Sequence, residues 1–269
     1  MDLKFDNICQ DHLPISPWHD QHLARLPGIN PLDRDDWIIV DSAFAGQMGY
    51  VDYLLSQRRD KVLAVDVCAG GAARELLEHI LAALTVHKAY TVDAQCVHRP
   101  DGVSVALDWN QPLLTARALV QQDLCLMLPV GDEHVLVGGA MCFPASWSLS
   151  EKFMRPMTGI HEPVKEYGAD LARRVERMFR MMRPEQDMYR ANWLIYNDPD
   201  LHQPRRTDQR RTREKTPDQW MRVERQSLCK LPKSGAIVFG IHSIVVPFDR
   251  LSREQHDSLE IVLEKRSHE

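Results

Sequence analysis

Four places along the chain carry residue types whose spacing could do chemistry. The first is Gly159-Ile160-His161-Glu162-Pro163-Val164-Lys165-Glu166-Tyr167, where one histidine sits between an apolar Ile160 and the rigid Pro163. Proline fits a first helical turn, because the N–H it lacks would have no helical partner there. The segment therefore predicts His161 just ahead of a helix N-terminus, its imidazole held on a stiff turn. A neutral imidazole of fixed orientation is what an axial metal ligand requires. From the residues alone His161 is a lone histidine, and a hydrogen-bonded structural role competes with ligation.

The second is Arg222-Val223-Glu224-Arg225-Gln226-Ser227-Leu228. The two-residue period of a strand sets Arg222, Glu224 and Gln226 on one face and Val223, Arg225 and Ser227 on the other. Buried charge must be paired or must bind something charged. Two readings stay open: an ion-paired strand in which Glu224 meets an arginine, and an arginine fork for an anion such as a carboxylate or propionate.

The third is Val62-Leu63-Ala64-Val65-Asp66-Val67-Cys68-Ala69-Gly70-Gly71-Ala72-Ala73, which resembles the cofactor loop of class I methyltransferases, with Asp93 placed as a ribose ligand. Glycine pairs before helices are also ordinary caps and turns, and a Rossmann-type sheet needs further parallel β-α units. The fourth, His19 and His22, has no carboxylate or histidine partner at a recognised spacing and reads as surface histidines. The sequence holds no G-x-S-x-G, P-loop or H-E-x-x-H, so hydrolase elbows, Walker NTPases and zincins have no support. Its six cysteines show no C-x-x-C pair, which argues against cysteine-held zinc or iron–sulfur centres. They read as small buried residues in a reducing compartment.

The elements that must position these residues follow from periodicity. Met48, Val51, Leu54 and Leu55 mark one helical face, and Leu76, Leu77, Ile80, Leu81 and Leu84 predict a helix over 73–87. Two apolar runs around Pro129-Val130-Gly131-Asp132 predict a β-hairpin. Ser148-x-x-Glu151 and Ser252-x-x-Gln255 have the form of capping boxes. Between them the pattern predicts a helix from Pro163 to Pro184, then strands at 192–197, 221–229 and 236–247. Hairpin strands with helices on one side mean an α+β fold with an antiparallel sheet. Residues 1–120 read as an N-terminal extension containing helices, and 121–269 as the core, the two forming one unit.

The 269 residues carry a net charge of −5 and 44% hydrophobic content, an ordinary globular composition. No basic excess favours nucleic acid, with 33 Lys+Arg against 38 Asp+Glu. No apolar run spans a membrane and no secretory signal opens the chain, so a cytoplasmic location is expected. The basic run 205–215 is either a solvated loop or a docking patch for an acidic partner such as an electron donor.

Several runs in order resemble one family. They are Gly139-Ala140-Met141-Cys142-Phe143-Pro144-Ala145-Ser146-Trp147, Ile160-His161-Glu162-Pro163-Val164, Arg190-Ala191-Asn192-Trp193, and Arg222 through Pro232. Ala236-Ile237-Val238-Phe239 continues the match, and Gly28 to Leu32 with Trp37 matches more loosely. Together they resemble the haem-dependent oxidative N-demethylase α-subunit family, whose domain also occurs in dimethylamine monooxygenase. The resemblance implies a PAS-like antiparallel sheet with flanking helices, holding a non-covalent haem b (iron protoporphyrin IX). It implies a monooxygenase that takes dioxygen and a small methylated secondary amine to formaldehyde and the shortened amine. Electrons would come from a separate flavin/iron–sulfur reductase.

Carried over by position, His161 is the axial iron ligand and His242 its rival. Arg222 and Arg225 fall to the haem propionates, with Trp193 also placed at the cofactor. Glu224 and Tyr196 are set to hold a substrate ammonium. A non-catalytic haem-PAS gas or redox sensor and an S-adenosylmethionine-dependent methyltransferase are the alternatives.

Overall fold

Apolar residues at alternating positions between 123 and 247 build the centre of the molecule. The computed structural model describes residues 7–24, 27–163, 167–209 and 218–267. Its chain begins with β1 (Asn30–Pro31), α1 (Phe44–Gln57), α2 (Arg59–Val62), β2 (Leu63–Val65) and α3 (Gly70–Val86). Three short strands come next, β3 (Thr91–Val92), β4 (Cys96–His98) and β5 (Ser104–Ala106), followed by α4 (Pro112–Leu119). The hairpin strands β6 (Asp123–Val130) and β7 (Glu133–Ala140) lead to α5 (Leu149–Lys152), α6 (Met157–His161) and α7 (Ala169–Met181). The chain then runs through β8 (Met188–Tyr196), β9 (Trp220–Lys230) and β10 (Ile237–Pro247) to α8 (Arg253–Ser267).

Seven strands join in the order β1-β8-β9-β10-β6-β7-β2, and β3-β4-β5 form a second, small sheet. Every ladder between these strands is antiparallel, so the fold is α+β. The run 62–73 is correspondingly not the start of a parallel unit. β2 lies antiparallel on β7 at the sheet edge, and Asp66 accepts the Cys68 N–H at 2.9 Å within a turn ahead of α3.

The expected hairpin is β6–β7, joined by Gly131-Asp132, with Gly131 at φ 62°, where a side chain would be strained. The expected strands are β8, β9 and β10, each within a few residues of its predicted bounds. The capping box at α8 forms, Gln255 N donating to Ser252 Oγ at 3.2 Å and Ser252 N to Gln255 Oε1 at 3.0 Å. The one at Ser148 does not, because the Ser148 hydroxyl donates to the Glu151 carboxylate.

The helix predicted from Pro163 is corrected: α7 begins only at Ala169, and His161 closes α6 instead of preceding a helix. Pro163 has no N–H to offer the Gly159 carbonyl, so it stops the earlier helix. Val164, counted in the predicted helix, lies outside the described residues, as do 210–215 of the basic run.

The two faces of the large sheet differ. On one, Leu124, Leu126 and Val238 pack with α1 and α3 through Met48, Leu54, Leu76 and Ile80. On the same face Ala191, Val223 and Ile244 pack against Leu13, Trp18 and Leu259. On the other face Cys125, Met127, Leu136, Leu228 and Ile241 look towards Ile160 and Phe179 of α6 and α7. Among the described residues no helix is long and apolar enough to cross a membrane.

Candidate functional site

The face under α6 and α7 is not packed flush against them, and a cavity of about 570 Å³ lies between. That size falls in the ~300–1,000 Å³ range typical of small-molecule and cofactor sites. Its walls are largely apolar, among them Met127, Leu136, Val175, Met178, Phe179 and Phe239. A neighbouring hollow of about 420 Å³ shares Lys152, Ile160, Pro163 and Thr207 with it.

His161 lines the cavity from the end of α6. Its Nδ1 lies 3.0 Å from the Met157 carbonyl one turn back. A carbonyl oxygen only accepts, so Nδ1 carries the hydrogen and Nε2 keeps its in-plane lone pair. Burial pushes the imidazole pKa below its ordinary value, against the pull of that hydrogen bond, which favours the neutral ring. The Tyr167 ring stacks on it with centroids 4.2 Å apart and planes 21° from parallel. Hydrogen bond and stack together fix the ring's orientation.

The sheet beneath supplies the polar groups. Strand register places Asn192 opposite Glu224 and Arg190 opposite Gln226, and all four line the cavity. Glu224 Oε2 accepts from Asn192 Nδ2 and from Gln226 Nε2, each at 3.3 Å. Its Oε1 lies 3.4 Å from the Arg222 guanidinium. Arg190 Nε is buried without a hydrogen-bond partner, as are the Tyr167 hydroxyl and Gln226 Oε1. Burial lowers the pKa of Arg190 against the attraction of Glu224, and burial also lowers that of Lys152. The Lys152 ammonium stands 4.8 Å from the Trp147 ring centroid. Arg205 and Arg206 add further positive charge to the lining.

Of the residues expected from sequence, His161 and Glu224 meet in this cavity. Tyr196 stands behind its wall, its hydroxyl 3.1 Å from that of Ser146, which lines the cavity. Arg222 is 2% exposed and does not line it. Its guanidinium donates to the carbonyls of Phe143 at 2.6 Å and Leu201 at 3.1 Å, and it sits over the Tyr196 ring. The ion-paired strand is the arrangement present, with Arg222 as the partner of Glu224.

Arg225, Trp193 and His242 point to the opposite face. Arg225 lies over the Tyr189 ring at 5.0 Å, Trp193 meets Trp18 edge-on at 5.4 Å, and His242 Nε2 is 2.9 Å from Asp41 Oδ2. A fork made from Arg222 and Arg225 is therefore corrected, since even and odd positions of one strand cannot serve one cavity. Of the cations that do line it, Arg205 and Arg206 belong to the basic run noted in the sequence, whereas Arg190 and Lys152 are not among the expected site residues. The signal for Arg190 was present in the alternation that sets it beside Asn192, and the neighbouring Trp193 drew attention to the wrong parity.

A flat, apolar group with carboxylates on its edge and a metal at its centre fits this donor set. The cavity offers one neutral imidazole with a fixed free nitrogen, apolar walls, and a buried guanidinium nitrogen awaiting an acceptor. A family model described as "Haem-dependent oxidative N-demethylase, alpha subunit-like" matches residues 28–268. No curated protein matches the chain.

Proposed function

This chain belongs to the haem-dependent oxidative N-demethylase, alpha subunit-like family, and we propose that it is the haem b-binding oxygenase subunit for a small secondary amine of the dimethylamine kind. Haem, when bound, supplies dioxygen activation: with two electrons and two protons one oxygen atom leaves as water and the other enters an N-methyl C–H bond, after which C–N cleavage frees formaldehyde and the shortened amine. A separate flavin/iron–sulfur reductase provides the electrons, in keeping with the subunit character of the family. The antiparallel sheet, flanked by helices on both faces rather than on the one side expected from sequence, supports the PAS-like description.

In this reading His161 Nε2 holds the iron, and the bond from Nδ1 to Met157 sets the ring's tautomer. Arg190 and Lys152 take the propionates in place of Arg222 and Arg225. Glu224 receives the substrate ammonium, while Asn192, Gln226 and Arg222 keep its carboxylate in position. Tyr196 acts through Ser146 on the wall. The observation that carries the proposal is His161, neutral and oriented at the edge of an apolar cavity of cofactor size.

The test is a haemin titration of the purified full chain, read by absorption. One equivalent bound with a histidine-ligated Soret band is expected, lost in His161→Ala and kept in His242→Ala. A His161→Ala spectrum identical to the parent overturns the ligand assignment, and protein that stays colourless overturns the function. Dimethylamine-dependent oxygen uptake with a reductase supports catalysis; a haem spectrum without it supports a sensor.

A further inference from the structure

On the small sheet, and not among the residues that line the cavity, Asp93, Cys96 and His98 bring their side chains together, and no other such group occurs among the described residues. We propose that these three residues form a zinc(II)-binding site with an open fourth position, separate from the cavity.

The geometry comes from the strand. Cys96 and His98 are two residues apart on β4 and so share a face. Val97 between them is fully buried and fixes that orientation. Asp93 opens the β3–β4 turn, its N–H donating to the Cys96 carbonyl at 2.9 Å. The Cys96 sulfur lies 3.8 Å from Asp93 Oδ2 and 3.7 Å from His98 Nε2, and those last two atoms are 2.9 Å apart. A tetrahedral zinc, with bonds of about 2.3 Å to sulfur and about 2.0–2.1 Å to nitrogen or oxygen, sets sulfur about 3.5 Å from the other two ligands and those two about 3.4 Å apart. The existing triangle thus needs its shortest edge to open by about half an ångström and its two sulfur edges to close by about 0.2–0.3 Å.

An outer partner is also in place. His98 Nδ1 is 2.7 Å from the hydroxyl of Ser104, which is paired with His98 across β4–β5. With Nδ1–H donating to Ser104, Nε2 turns its lone pair towards the metal, the usual arrangement of a ligating histidine. One thiolate, one imidazole and one carboxylate suit zinc, whereas magnesium and calcium prefer oxygen ligands throughout. The side chains of Asp93 and His98 are half exposed, at 57% and 44%, so water can enter and complete the tetrahedron. In the sequence the ligands read D-x-x-C-x-H, a spacing hidden from a search for C-x-x-C pairs.

The experiment titrates the tag-free, reduced, chelator-treated full chain with cobalt(II) and then zinc(II). One equivalent of cobalt is expected to produce the thiolate-to-cobalt charge-transfer band and the visible bands of a tetrahedral site, and zinc is expected to bleach both. Cys96→Ser abolishes the charge-transfer band, and Cys68→Ser, at the other cysteine with solvent access, leaves it intact. Ser104→Ala keeps the ligands and weakens zinc by about 10–100-fold. Parent protein that takes up no cobalt or zinc, or a band that survives Cys96→Ser, overturns the proposal.

Discussion

Replacing Arg117 by methionine removes one end of a buried chain of polar contacts that runs from α4 to the cavity. Arg117 is fully buried, with Nε 2.9 Å from Asp123 Oδ1 and Nη1 2.7 Å from the Val120 carbonyl. Asp123 in turn accepts the N–H groups of Cys142 and Phe143, each at 2.8 Å, and the Phe143 carbonyl accepts from Arg222. Removing one partner of a buried ion pair costs about 3–5 kcal/mol, because the other charge stays out of water. The two backbone donors that remain on Asp123 put Arg117→Met at the lower end, about 3 kcal/mol. With an m-value of about 3 kcal/mol/M, the urea midpoint falls by about 1 M. Asp123→Asn strands the guanidinium and costs a similar amount. The double variant should then lose about 2–3 kcal/mol less than the sum of the two, as expected for groups in direct contact. Additivity of the two substitutions, or a loss under about 1 kcal/mol for Arg117→Met, refutes the reasoning.

Three further outcomes are expected. Arg190→Gln removes a charge-assisted partner worth about 1.5–3 kcal/mol, so haemin binding weakens by about 10–100-fold while binding of its propionate dimethyl ester is unchanged. Burial raises the pKa of Asp41, but the hydrogen bond and charge of His242 and the amides of Gln121 and Gln10 outweigh it and hold it at about 2. That depressed carboxylate contributes stability which is present above its unfolded pKa of about 3.9 and is lost as pH falls through about 2, so Asp41→Asn costs about 2–3 kcal/mol at neutral pH and the deficit narrows in acid melts. Gly46→Ala gains about 1 kcal/mol of helix propensity in α1. Its new Cβ would stand 1.7 Å from the Asn7 carbonyl oxygen, so thermal melts should show net destabilisation and the buried segment Ile8–Gln10 should become more sensitive to protease.

Much of the fold is legible because its strands are long. Runs of eight to eleven residues in β6, β7, β9 and β10 carry enough apolar content to be recognised and enough turn chemistry to be separated. The strands of the small sheet have two or three residues each, too few to show a period. α4 was legible in principle, since Pro112 opens it at the position where proline is tolerated. At the site, His161 is legible as a positioned imidazole but its helix is not, because Pro163 ends one helix as readily as it begins another. Arg222 shows a different difficulty. A buried arginine on a strand signals a need for acceptors, and sequence cannot tell a ligand's carboxylate from the carbonyls of Phe143 and Leu201, which lie far away along the chain.

Of the strands in the large sheet β10 comes last along the chain, yet it lies between β9 and β6 in the middle of that sheet. The hairpin β6–β7 and the pair β8–β9 can each form earlier, but nothing in the sheet joins them until residue 247 has left the ribosome. During that interval both β6 and β9 present open hydrogen-bonding edges to other nascent chains. A premature stop before residue 237 therefore yields two sticky half-sheets instead of a shortened protein, and such products should be found on chaperones or in inclusion bodies.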